Sequence, residues 1–114
     1  MGILRILCVV EDGPKLQELE ATVANAGYEV VRARTGDEAL KLLKSQGVDG
    51  VVLEYQVQIP GGVSLRNWLR RMSPELPVLL ISSNDDVRTI PLEIFGAYLE
   101  NPASPEKVLE AMSR

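Results

Sequence analysis

The chain has 114 residues, 46% hydrophobic and only 4% aromatic, so it can form one domain around an aliphatic core. Its net charge of −4 argues against broad binding to nucleic acid or to an anionic membrane. The absence of histidine excludes histidine-based metal sites, Ser-His or Cys-His catalysis and phosphohistidine, and the single cysteine cannot form an internal disulfide. Without a signal peptide or an apolar run of roughly 20 residues, the sequence predicts a cytoplasmic protein.

Apolar runs of strand length alternate with segments of helical period. Strands are predicted at residues 3–10, 28–33, 48–53, 77–81 and 97–99. Helices are predicted to begin near Pro14, Thr35, Ser64 and Ser104, where a proline or a capping hydroxyl precedes an apolar stripe. This alternation predicts an α/β fold, a doubly wound five-stranded parallel sheet with helices on both faces, formed by residues 1–114 as a single domain.

The segment between the fourth and fifth predicted strands is less regular. Pro91 cannot donate a hydrogen bond to the turn before it and disfavours helix at Ile90, and Gly96 is expected to stop a helix begun at Pro91. We therefore expect a fourth helix that is short, broken or replaced by a loop. Part of its apolar surface would then remain available to a partner or to a second copy. In the alternative, the segment folds over the sheet and is buried. The residues concerned are Ile90, Leu92, Ile94, Phe95 and Tyr98.

Polar residues follow the predicted strands, at the edge where ligands bind in such sheets. Glu11 and Asp12 follow the first strand, and Glu54 follows the third. Clustered carboxylates repel one another, so a divalent cation, a nearby basic side chain or a raised pKa must relieve them. Oxygen ligands suit Mg²⁺ or Ca²⁺. In the alternative, these strand ends are simply solvated. Small polar residues flank the acids: Ser82, Ser83, Asn84 and Asn101.

The pattern resembles the receiver domain of two-component response regulators over nearly the whole chain. "ILCVVEDGPKLQELEATVANAGYEVVRARTGDEALKLL" is similar to the first two strand–helix units, and "VDGVVLEYQ" is similar to the phosphoacceptor strand. "SPELPVLLISS" and "GAYLENPASPEKVLEAM" resemble the fourth strand and the fifth strand with the last helix. The resemblance implies a flavodoxin-like receiver fold with strand order 2-1-3-4-5. It also implies that a histidine kinase passes a phosphoryl group to an aspartate, and that the face of the fourth helix, fifth strand and fifth helix transmits the change.

The resemblance assigns roles to individual positions. Glu11 and Asp12 match the acidic pair that holds Mg²⁺, to which Glu54 and the backbone carbonyl of Gln56 would add ligands. Ser82 matches the hydroxyl residue that turns toward the phosphoryl group. Two further matches lie near the C-terminus: Tyr98 at the aromatic switch position, and Pro102 after the family's lysine.

Two central positions depart from the family. Glu54 stands where the family has the phosphoacceptor aspartate, and its extra methylene moves the carboxylate by more than about an ångström. Asn101 stands where the family has lysine, so a neutral amide replaces a point charge. The loop after Glu54 is also longer than in most members of the family, and the segment between Ser83 and Tyr98 is shorter.

These departures favour a degenerate receiver, a non-catalytic interaction module rather than an enzyme, with Glu54 occupying the site permanently and Mg²⁺ binding weak at best. Its partner would be a histidine kinase or an output domain, without direct binding to nucleic acid or membrane. A homodimer could form through the output face, where Tyr98, Leu92 and Phe95 would lie. The alternative is a phosphorylation-competent, Mg²⁺-dependent receiver that uses Glu54 or a serine as acceptor. A flavodoxin-like cofactor binder is the remote alternative, because the two acids of "VVEDGPK" would repel phosphate.

Overall fold

The computed structural model describes residues 3–100, the last four of them by their backbone alone. Its four strands are β1 (Arg5–Val9), β2 (Glu29–Ala33), β3 (Gly50–Glu54) and β4 (Val78–Ile81). Its four α-helices are α1 (Gly13–Asn25), α2 (Gly36–Ser45), α3 (Leu65–Met72) and α4 (Glu93–Glu100). No helix in this part of the chain is both long enough and apolar enough to cross a bilayer.

The strands form one parallel sheet in the order β2-β1-β3-β4. Strands β1 and β3 are central among the described strands and are almost fully buried, as the continuous apolar runs predict. Helix α1 packs on one face with the segment that follows β4, while α2 and α3 pack on the other. The predicted α/β class, parallel sheet and helices on both faces are confirmed.

Short polar side chains begin three of the helices at the predicted places. Thr35 accepts a hydrogen bond from the backbone N–H of Glu38 at 3.1 Å, as its capping sequence predicts. Ser64 accepts one from Asn67 at 3.1 Å, and Asp12 caps α1 in the same way. After α1 the chain reverses at Gly27, whose φ of +95° is a conformation that favours glycine.

The fifth strand predicted at residues 97–99 is wrong, because this segment belongs to α4. A short apolar run cannot distinguish a strand from a buried helix by periodicity alone. Gly96 also does not end the helix as expected. Its φ is not positive, so it continues the helix at a cost of about 1 kcal/mol relative to alanine. Four strands in the order 2-1-3-4 therefore replace the predicted order 2-1-3-4-5 within the described residues.

The break in the fourth helix is confirmed, but the exposure of its apolar residues is not. After β4 the chain forms a 3-10 turn at Val87–Thr89, becomes extended at Ile90 before Pro91, and then begins α4. Leu92 is 6% exposed and Phe95 is 1% exposed, so the expectation that they remain available to a partner is wrong. The side chain of Tyr98 lies outside the described residues.

A slot in the sheet explains why Phe95 is buried. Gly50 begins β3, and a Cβ added there would overlap the Phe95 ring. The missing side chain therefore leaves room for this aromatic residue above the strand. Tyr28 packs edge-on against the Phe95 ring, with centroids 6.0 Å apart, and donates a hydrogen bond to the Leu92 carbonyl at 3.1 Å. The segment after Pro91 is thus held against the sheet.

Candidate functional site

The strand register brings the predicted site residues to one edge of the sheet, called the rim here. Glu54 is the last residue of β3 and lies beside Ile81 of β4, so Ser82 follows directly at the same level. On the other side, Leu53 pairs with Val9 of β1, which places Glu11 just beyond the pair. Glu11, Glu54 and Ser82 therefore meet at the rim, as the sequence predicts.

Glu54 is only 3% exposed, and among the described residues it is the one charged residue that is buried. Its Oε1 accepts a hydrogen bond from the backbone N–H of Glu11 at 3.1 Å. Its Oε2 lies 3.5 Å from the Nζ of Lys15. Both oxygens of the carboxylate thus have partners inside the protein, and water reaches almost none of it.

Lys15 is a site residue that the sequence analysis missed. It lies in the first turn of α1, and its Nζ donates a hydrogen bond to the Ser82 carbonyl at 2.8 Å while facing Glu54. Its side chain is 14% exposed. The sequence does carry a signal, because a lysine at a helix N-terminus opposes the helix dipole and needs a compensating anion. Of the three ways to relieve clustered carboxylates, the structure uses a basic side chain.

The two acids after β1 have different contacts: Glu11 bonds through its backbone, and Asp12 caps α1. The Glu11 side chain is exposed, while its carbonyl accepts hydrogen bonds at 3.2 Å from both Nε and Nη2 of Arg34. The Asp12 carboxylate accepts the backbone N–H of Lys15 at 3.1 Å. Gln56 lies in the turn after β3 with its side chain exposed.

This arrangement does not provide a ready metal site. Among the side chains that the structure describes, residues 3–96, no three acidic, histidine or cysteine groups are placed so that they could hold a metal ion. Among the described side chains, the cation closest to the Glu54 carboxylate is the ammonium of Lys15. The donor set expected for Mg²⁺, from Glu11, Asp12, Glu54 and Gln56, therefore shares the rim without being assembled around one point.

The remaining predicted residues are placed as follows. The Oγ of Ser82 accepts the backbone N–H of Asn84 at 3.3 Å, and its own N–H donates to the Asp85 carboxylate at 2.7 Å, so its hydroxyl serves a local turn. Leu92 and Phe95 lie in the core on the α1 side of the sheet. Asn101 and Pro102 lie outside the described residues.

Comparison with known proteins gives a consistent family. Residues 7–112 match the family described as the response regulator receiver domain. Over 113 residues the chain is 34% identical to the response regulator MprA of Mycolicibacterium vanbaalenii, covering 96% of this chain and 48% of that protein. The chain thus spans about half the length of the curated relatives it matches.

Solved structures show the same fold. The signal receiver domain of an HD domain-containing protein from Pseudomonas fluorescens superposes with a TM-score of 0.65 at 21% identity, over 98% of this chain and 93% of that one. The response regulator TrrA of Thermotoga maritima, solved with Mg²⁺ and beryllium fluoride, gives a TM-score of 0.62 at 25% identity, over 82% and 81% of the two chains. A further structure holds TrrA in complex with the histidine kinase ThkA.

A parallel α/β sheet with acids and a buried carboxylate at its carboxyl rim thus coincides with a family match over nearly the whole chain and with the fold of solved receivers. The chain therefore belongs to the response regulator receiver domains of two-component signalling, and it has their flavodoxin-like fold.

Proposed function

We propose that this chain is a degenerate receiver, a protein-interaction module whose acceptor position is not phosphorylated. The observation that carries the proposal is the environment of Glu54. Its carboxylate is buried, with one oxygen bonded to the backbone of Glu11 and the other facing Lys15. Phosphoryl transfer depends on positioning, and the acceptor oxygen must be free to approach phosphorus in line. A carboxylate already engaged in this way is poorly placed to attack.

Two sequence features support the same proposal. Glutamate is longer than the family's aspartate, and Asn101 supplies a neutral amide where the family has a lysine charge. We infer that the module acts through contacts rather than through catalysis, and that it is not an enzyme.

Mg²⁺ binding is proposed to be weak. When bound, the ion would neutralise charge on the oxygens of a phosphoryl group, and its ligands would come from Glu11, Asp12, Glu54 and the Gln56 carbonyl. Lys15 already supplies positive charge at Glu54, so the gain from binding a dication there is reduced. The metal is therefore not needed to hold the rim together.

The proposed partner is a histidine kinase or an output domain, inside the cytoplasm. ThkA bound to TrrA is an example of the first kind of partner. Because the chain covers only about half of its curated relatives, residues 1–114 are proposed to be one module of a larger signalling assembly. Leu92 and Phe95 are left out of the proposed contact surface since both are buried.

The test is intact-mass measurement after incubation with Mg²⁺ and acetyl phosphate. We expect no covalent phosphoryl adduct on the wild-type chain. A gain of one phosphoryl group that disappears in Glu54→Gln would overturn the proposal and support the second candidate, a phosphorylation-competent receiver. That candidate is favoured by the family match over residues 7–112. A double variant, Glu54→Asp with Asn101→Lys, provides the comparison, since each change restores a different part of the chemistry.

A further inference from the structure

We infer that Lys15 is the resident cation of the rim: it neutralises Glu54, holds α1 against the end of β4, and excludes divalent metal from the site. The inference deepens the proposed function and rests on it in one respect, that the acceptor site is not used for phosphoryl transfer. It concerns which group supplies the positive charge at the rim.

Glu54 is a charged residue buried in the protein. A carboxylate transferred from water into a protein interior is strongly destabilised unless it is paired and hydrogen-bonded. Glu54 is 3% exposed, and the backbone N–H of Glu11 satisfies only one of its oxygens. Within the described residues, Lys15 provides the ion pair that remains. The Glu54 carboxylate therefore has a counterion without an added metal ion.

Lys15 lies in the first turn of α1. The N-terminal turn of a helix carries a partial positive charge, so a lysine there is modestly unfavourable unless anions lie nearby, and the Asp12 cap and Glu54 both supply one. A solvated lysine would direct its ammonium away from the protein, whereas the Lys15 side chain is 14% exposed and extends inward. The long flexible stem of lysine gives the reach that this contact requires.

Lys15 has a second partner besides Glu54. Its Nζ is 2.8 Å from the Ser82 carbonyl, closer than the 3.5 Å to Glu54 Oε2. One ammonium thereby links three segments: the start of α1, the end of β3 and the loop after β4. Ser82 is followed by a turn in which its own N–H donates to Asp85. The position of this loop is thus coupled to Lys15.

Exclusion of metal follows from charge. A dication that used Glu54 as a ligand would approach an ammonium already within 3.5 Å of the same carboxylate. Like charges at such a distance repel strongly where solvent is scarce. For a metal to bind, Lys15 must first withdraw and give up its bond to Ser82. Removing the Lys15 charge should therefore improve Mg²⁺ binding, on the order of ten-fold or more in Kd.

The experiment is calorimetric titration of MgCl₂ into the wild-type chain and into Lys15→Gln, which keeps a polar head but removes the charge. We expect tighter binding by Lys15→Gln, and loss of that gain in the double variant Lys15→Gln/Glu54→Gln. The matched control is Lys41→Gln, since Lys41 is a 76% exposed lysine that pairs with Asp37 on α2. Equal Mg²⁺ affinity in wild type, Lys15→Gln and Lys41→Gln would overturn the inference.

A second measurement does not depend on a variant that folds well. Thermal unfolding of the wild type should be unaffected by millimolar MgCl₂ beyond the effect of the same ionic strength of NaCl. A specific rise in wild-type Tm with MgCl₂ would show that metal binds despite Lys15 and would contradict the inference. If Lys15→Gln is unfolded without metal, recovery of its fold by MgCl₂ supports the inference, and failure to recover it in either salt counts against it.

These outcomes separate the inference from the proposed function. A phosphoryl adduct on wild-type Glu54 would defeat the proposed function, whatever the metal affinities. Unchanged metal binding in Lys15→Gln with no adduct would defeat only the role of Lys15.

Discussion

Glu54 and Lys15 depend on each other because neither charge has enough water around it to stand alone. Removing one partner of a buried pair leaves an uncompensated charge, whereas removing both leaves neutral groups. We expect Lys15→Met to lower the free energy of unfolding by roughly 3 kcal/mol, and Lys15→Met/Glu54→Gln to recover a large part of that loss. Urea unfolding of Lys15→Met, Glu54→Gln and the double variant measures the coupling free energy between the two side chains. Strictly additive effects would show that the two side chains do not interact.

Gly36 is required by a close approach of two backbones rather than by a special φ. It begins α2, and a Cβ added there would collide with the backbone carbonyl of Gln58, whose carbon would be 2.7 Å away. We expect Gly36→Ala to destabilise the protein by about 1–3 kcal/mol, although alanine is the better helix former. Gly47→Ala is the control, since nothing lies within 4 Å of an added Cβ there. Equal stability of the two variants, by urea unfolding, would refute the close approach.

Cys8 gives a prediction for alkaline pH. Burial raises the pKa of its thiol from 9.0 to about 12, with the charge of Glu20 adding to the effect. The folded chain therefore keeps this proton at pH values where the unfolded chain loses it. The stabilisation from Cys8 is fully present below pH 9 and decreases as pH rises toward 12, by up to about 1.4 kcal/mol per pH unit. Urea unfolding between pH 8 and 11 should show a steeper loss for wild type than for Cys8→Ala, and parallel curves would contradict this.

At the scale of elements, the segment after β4 behaves as part of the core. Phe95 fills the slot above Gly50 and contacts the Tyr28 ring. We expect Phe95→Ser to lower the free energy of unfolding by roughly 3–5 kcal/mol, as for other large buried aromatic side chains. Met72→Ser is the exposed control, because Met72 on α3 is 63% exposed and should change stability by at most about 0.5 kcal/mol. A Phe95→Ser variant as stable as Met72→Ser would indicate an exposed segment.

Short-range sequence signals predict the ends of helices correctly where a side chain bonds to the nearby backbone or where a glycine reverses the chain. The caps at Thr35 and Ser64 and the reversal at Gly27 follow from short-range chemistry, and all three are found. The segment from Pro91 onward is different, because its apolar residues fit either a strand or a helix. The slot at Gly50 decides the burial of Phe95, and a contact between residues 45 positions apart has no local signature.

At the scale of the whole molecule, the alternation of strands and helices predicts the parallel sheet, and the sheet predicts where polar residues gather. Glu11, Glu54 and Ser82 therefore meet at the rim as expected. Lys15 was not predicted, since its side chain crosses from α1 to two other strand ends and its reach depends on the tertiary arrangement. The sequence indicates that a divalent cation, a basic side chain or a raised pKa must relieve the acids, and the fold places Lys15 beside Glu54.

The described architecture gives the buried Glu54 carboxylate at the rim a counterion from the protein itself, the Lys15 ammonium. One face of the sheet carries α1 and the segment after β4, and Lys15 connects both of these to β3. If the proposed function is correct, such a receiver would hold one conformation whether or not a kinase is active. Its signalling state would then depend on which partner is present rather than on phosphorylation.

The most direct test is the amide NMR spectrum of the wild-type chain with MgCl₂ and beryllium fluoride, which mimics a bound phosphoryl group. TrrA, solved with these two ligands, serves as the positive control under identical conditions. We expect TrrA to respond, while the amide resonances of Glu11 and Ser82 in this chain stay unchanged apart from the effect of ionic strength. Saturable shifts at both amides, with an affinity like that of TrrA, would show that the rim accepts metal and phosphoryl mimic and would contradict the account.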